Sequence, residues 1–168
     1  MQEKLFPVIH NKENLLKKIE ILIKRFQLFE LPILIFEQVL EKLGKTINPI
    51  RSLLKHVDPI KKSTFSFAED SGFNTQINYL SNCDGVVLDG IETHICIYQT
   101  ERALIHRGYH VEVVTDAIAS RDLNNHQIAI DRISNNGGFL TTVEMLLFNI
   151  QERVNNETFN SLVQLVKL

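Results

Sequence analysis

DGVVLDGIETHICIYQTERALIHRGYHVEVVTDA, residues 84–117, is the stretch whose reading decides the fold. DGVVLDG (84–90) is a short apolar run bracketed by Asp-Gly pairs, the pattern of a strand buried on both faces. THICIYQTERALIHRGY (93–109) reads as a helix, with Thr93 placed to cap it and Gly108 to end it in a left-handed turn. HVEVVTDA (110–117) returns to strand. A strand, a helix and a second strand joined this tightly form a crossover unit, which lays the two strands parallel in one sheet.

The same alternation extends outward. PILIFEQ (32–38) is another apolar run that suits a buried parallel strand. Ahead of it, NKENLLKKIEILIKRFQLF (11–29) places Leu15, Ile19, Leu22, Ile23 and Phe26 on one helical face, with Asn11 as its N-cap. Residues 39–59 read as a loop with a short helix, punctuated by Gly44, Pro49 and Pro59. Residues 61–80 begin extended and become a helix starting near Ser71 or Asn74. Residues 123–138 form a helix closed by Gly137 and Gly138, FLTT (139–142) a strand, and 142–154 and 157–168 two final helices. Residues 1–168 therefore predict one α/β domain: a three-layer, Rossmann-like fold with a mostly parallel sheet flanked by helices.

Composition narrows the function. The chain has 168 residues, 44% hydrophobic and 23% charged, with a net charge of −2. Its Lys and Arg residues are scattered through helices and form no basic stripe, so no nucleic-acid partner is expected. Cys83 and Cys96 give neither a disulfide framework nor a metal spacing, which suits a reducing, cytoplasmic setting. No apolar run approaches the roughly 20 residues that span a bilayer, so no membrane partner is expected. MQEKLFPVIHNKE lacks the order of a signal peptide.

Ligands of such folds sit at the carboxyl ends of strands. That places Glu37 and Gln38, Asp89 to Cys96, and Asp116 to Arg121 around one site. With Thr93 as N-cap, Cys96 falls in the first helical turn, where free amides and the helix dipole favour a thiolate and can hold an oxyanion. The other reading is a small buried cysteine among Ile95, Ile97 and Leu104, and spacing alone favours it.

GIETHICI (90–97), the helix after it, RGY (107–109), VVTDAIASR (113–121) and GGFLTTVEMLLF (137–148) together resemble the isochorismatase-like cysteine hydrolases. The resemblance is closest to the branch typified by isochorismatase domain-containing proteins and runs from Met1 to about Phe148. It implies that Cys96 is the nucleophile and that Lys62, in Lys62-Ser63-Thr64-Phe65-Ser66, is the catalytic lysine. It also implies a cis peptide at Ile91-Glu92, an oxyanion hole from the amides of Glu92 and Cys96, and a substrate wall including Glu37, Gln38 and Phe65. The family follows its Glu-Gln with an aromatic residue and a proline, where this chain has Val39-Leu40.

The family's third catalytic group is an aspartate at the end of the first, central strand, which takes the thiol proton. Met1-Gln2 aligns immediately after it, so strand and aspartate are both expected to be absent from these residues. A start assigned at an internal methionine is the favoured explanation. Asp89 is the best substitute base, though a carboxylate there also suits a turn; Asp58 is a weaker one. No cofactor or metal is expected: His106 and His110 are separated by Gly108, and the histidines of the metal-binding nicotinamidases are missing near Glu37.

The expected activity is cofactor-independent hydrolysis of a small amide or related carbonyl compound through a Cys96 thioester, with a thiolate well below the free-cysteine pKa of about 8.5. The alternative is an impaired homolog that works through assembly or partner binding. The resemblance also implies a homo-oligomer, for which Phe159, Leu162, Val163, Leu165 and Val166 can supply an interface.

Overall fold

The computed structural model describes residues 1–80 and 83–151. The expected helix at 157–168 and the end of the preceding one lie outside the described residues. Among the described residues, five strands, all parallel to their partners, form two sheets. β1 (Phe36–Gln38) pairs with β2 (Ile60–Lys62), and β3 (Gly85–Ile91), β4 (His110–Ala119) and β5 (Phe139–Thr141) pair in that order. Helices cover both faces, as the alternating sequence predicts.

One face carries α1 (Lys12–Leu28), α3 (Asn48–Leu53) and, at the end of the described chain, α7 (Val143–Gln151), while the short α2 (Leu40–Leu43) follows β1. Leu15, Ile19, Leu22 and Ile23 of α1 bury their stripe with Leu146, Leu147 and Val114. α4 (Ser71–Tyr79), α5 (Tyr98–His106) and α6 (Leu123–Asn136) cover the other face, where Phe73, Leu104 and Ile133 meet Leu88, Val111 and Val113. β4 therefore sends alternate residues into two cores. Its phase then flips, because Leu88 pairs with Val113 while Gly90 pairs with Ile118. This bulge inserts extra β4 residues opposite β3 and lets Ala117 rejoin the α1 face. It also carries Ser120 and Arg121 to the end of β3.

The expected single sheet is interrupted. No described strand pairs with the facing edges of β1 and β3, and a cavity of about 860 Å³ separates them, walled by Leu34 and Phe36 on one side and Val86 to Ile91 on the other. The same gap shortens PILIFEQ as a strand: only Phe36 to Gln38 join a ladder, because only β2 is there to pair with them.

Other elements differ locally from expectation. Residues 39–59 hold two short helices, not one. α4 starts at Ser71, as expected, and Asp70, whose carboxylate accepts from the Gly72 amide, is its cap. Asn11 stands at the α1 N-cap in a left-handed conformation without a side-chain cap bond. Thr93 does not cap the helix after β3; its hydroxyl pairs with His126 Nδ1, and Glu92 occupies the cap position. Gly108 and Gly137 do close α5 and α6 with φ of +85° and +99°.

Candidate active site

Two neighbouring strands and one turn bring the site together. The β1–β2 register sets Gln38 opposite Lys62, and the turn after β3 brings Cys96 to them. Lys62 is 8% exposed. Its Nζ donates to the carbonyls of Thr64 (2.8 Å) and Phe65 (2.9 Å) and to Gln38 Oε1 (3.1 Å), and lies 3.8 Å from Cys96 Sγ. The Cys96 thiol donates to the same Gln38 oxygen at 3.3 Å. Gln38 thus bridges thiol and ammonium. Phe65 holds Lys62 through its carbonyl, while its side chain is half exposed.

The turn itself is unusual. β3 ends at a cis Ile91-Glu92 peptide, preceded by Gly90 at φ +110°, a conformation that favours glycine. Thr93–Ile97 then winds as a π turn, not an α turn, with the Glu92 carbonyl accepting from the amides of Ile95 and Ile97. The Glu92 backbone favours charge on the Cys96 sulfur. A buried thiol and a fixed ammonium therefore meet at the carboxyl ends of the strands.

The electrostatics run against one expectation. Burial pushes the Cys96 thiol above its ordinary range; Lys62 and the Glu92 backbone pull it down, and burial wins. Burial lowers the Lys62 pKa, with Cys96 opposing that shift. The expected low-pKa thiolate is opposed here: the Lys62 cation is present, but desolvation outweighs it.

Asp89 lines the same cavity as Cys96 and Lys62. Burial pushes its carboxyl up to about 6, with the Met1 ammonium opposing. The Asp89 side chain opens onto this cavity, and its enclosure there raises the carboxyl pKa. The Glu37 carboxylate is buried and accepts from the Thr46 amide, so it fixes the loop after α2. His94 Nδ1 pairs with Ser120 Oγ. Among the described residues no three His, Cys, Asp or Glu side chains are grouped to hold a metal ion, and no helix is long and apolar enough to cross a membrane.

Gln2 escapes sequence reasoning, while Arg121 was expected only as part of the stretch from Asp116 to Arg121. Gln2 donates from Nε2 to the Gln38 carbonyl (3.0 Å) and accepts the Gln38 amide on Oε1 (2.8 Å), so a side-chain amide replaces a ladder partner for β1. Arg121 binds the buried Glu92 carboxylate. Its only sequence signal is its place after β4.

Residues 1–145 match the isochorismatase domain. The chain is 31% identical over 144 residues to the secreted isochorismatase effector Isc1 of Phytophthora sojae, covering 84% of this chain and 69% of that protein. It is 30% identical over 167 residues to isochorismatase domain-containing protein 2A of Mus musculus, covering 99% and 79%. Among solved structures, the MAR1 ribonuclease of Caenorhabditis elegans aligns with TM-score 0.90 at 27% identity, covering 99% of this chain and 85% of that one. The Escherichia coli YcaC product, described as an octameric hydrolase of unknown specificity, shares the fold with TM-score 0.86 at 18% identity, covering 98% and 83%. With a parallel sheet between helix layers, a cysteine on the turn after β3 and a domain match over 145 residues, this chain belongs to the isochorismatase family.

Proposed function

We propose that the chain is a cysteine hydrolase in which Cys96 attacks the carbonyl carbon of a small amide or related compound. The observation that carries this reading is the fixed Lys62 ammonium 3.8 Å from the Cys96 sulfur, with Gln38 bridging them. The thiolate adds to the carbonyl, and the developing oxyanion is held by the amides of Glu92 and Cys96. The C–N bond then breaks, the amine leaves with a proton, and a thioester remains. Water cleaves that thioester and returns the thiol. Lys62 stabilises the thiolate and Gln38 lines the substrate cavity, whereas Glu37 and Phe65, expected on the substrate wall, do not line it.

The proton acceptor is a carboxylate. Asp89, pushed up to about 6, is the described residue best suited to act in this role across the shared cavity. The assembly is a homo-oligomer, as the octameric description of YcaC suggests.

The competing reading is a homolog impaired in catalysis that acts through assembly, favoured by the raised Cys96 pKa. A panel of small amides and an RNA substrate, the latter because of the MAR1 name, separates these. The expected result is amide turnover with a thioester adduct at Cys96 in the intact mass, both lost in Cys96→Ala. Amide turnover that survives Cys96→Ala sinks the nucleophile. Turnover of RNA alone replaces the substrate class.

A further inference from the structure

Two polar groups of Glu92 are committed: its carbonyl accepts from Ile95 and Ile97, and its carboxylate is held by Arg121, while its backbone favours charge on the Cys96 sulfur. The Arg121 backbone N–H and its Nε both donate to Glu92 Oε1, each at 3.0 Å. The Glu92 side chain is 5% exposed and that of Arg121 is 54% exposed. A buried carboxylate this close to the nucleophile opposes a thiolate, and it does so here. Arg121 lies on the far side of it and does not line the cavity.

We propose that Arg121 is a positioning residue for the Cys96 thiolate, acting through Glu92. It offsets the one carboxylate that disfavours charge on the sulfur, and it fixes the residue whose backbone favours that charge. The β4 bulge is what carries Arg121 to this point. The inference rests on the reading of Cys96 as a nucleophile and adds to it a residue from the third strand end. Other titratable groups nearby are Lys62 on β2, Asp70 acting on Lys62, Asp89 on β3, and His94 on the turn itself, with His126 of α6 beyond Thr93.

The test is the pH profile of Cys96 alkylation by iodoacetamide, in a Cys83→Ser background so that one thiol reports. Arg121→Gln is expected to move the profile to higher pH and slow alkylation at neutral pH by about three- to tenfold, a modest shift because the arginine is half exposed. Arg121→Lys keeps the cation and is expected to fall between. Adding Glu92→Gln to Arg121→Gln removes the carboxylate charge and is expected to restore most of the rate, which a merely structural loss does not do. A profile unmoved by Arg121→Gln, or an equal slowing with Glu92→Gln present, overturns the inference while leaving the nucleophile reading intact. A Cys96 that never titrates in the unsubstituted protein removes both.

Discussion

At the scale of single residues, the site is a contest between desolvation and one cation. Lys62 is the main favourable influence on a Cys96 thiolate, so Lys62→Ala is expected to raise the thiol pKa further. Alkylation at neutral pH then slows about tenfold; an unchanged rate removes Lys62 from the mechanism. Asp89 gives a second prediction, on stability. Its folded pKa is raised to about 6 from a carboxylate value near 3.8, so between those values the folded state binds the extra proton. Stability therefore falls as pH rises from about 4 to about 6, and the loss is complete above that window. Asp89→Asn is expected to raise the melting temperature at pH 8 and to leave it nearly unchanged at pH 4. Equal effects at both pH values contradict the shift. Cys96 and Lys62 were legible through the resemblance, because they stand in local motifs. Gln38's bridging role and Arg121's clamp were not, since each depends on which strand ends meet in space.

At the scale of elements, periodicity read the helices and the long strands well and their ends less well. β4 was read to Ala117 and runs to Ala119, because the bulge continues pairing after the alternation breaks phase. The turn at Cys96 was read as α-helical and is π-wound, a difference that side-chain spacing over one turn cannot carry. The α6 terminus shows why two glycines stand together. Gly137 takes a left-handed φ of +99°. A Cβ on Gly138 would lie 2.8 Å from Ile133 Cγ2 and 2.9 Å from Glu101 Oε1, and both side chains are fully buried. Asn136 donates to that Glu101 carboxylate, so displacing it breaks the only described cap on a buried acid. Gly138→Ala is expected to cost about 2 kcal/mol by overpacking, and Gly137→Ala about 1 kcal/mol by backbone strain. Urea unfolding measures both. A neutral Gly138→Ala shows that Ile133 and Glu101 can move aside.

At the scale of the whole molecule, the divided sheet decides both stability and chemistry. β4 is paired on both sides, whereas β1 and β3 each turn one edge to the cavity between them. Unpaired edges facing an apolar wall leave backbone donors and acceptors without the ladder that a sheet interior supplies. Hydrogen exchange is expected to be slow at Val111 to Val114 and faster at the β3 amides that face the gap. The gap also dictates a direction. Met1 sits with Gln2 at the carboxyl ends of β1 and β3, against Gln38 and near Asp89, so residues placed ahead of it run back along the gap parallel to both strands. Lengthening the protein there by six alternating valines and isoleucines ending in aspartate should join the two sheets. Two new ladders at about 1 kcal/mol per hydrogen bond, with burial of the gap's apolar walls, outweigh the ordering of six residues at roughly 1–2 kcal/mol each. The expected gain is a few kcal/mol, or about 5–10 °C in melting temperature, with slowed exchange at β3. The terminal aspartate should also quicken Cys96 alkylation at neutral pH, and replacing it by asparagine should keep the stability and lose the quickening. If melting temperature and β3 exchange stay unchanged, the gap is not a strand site, and the search for the base returns to Asp89.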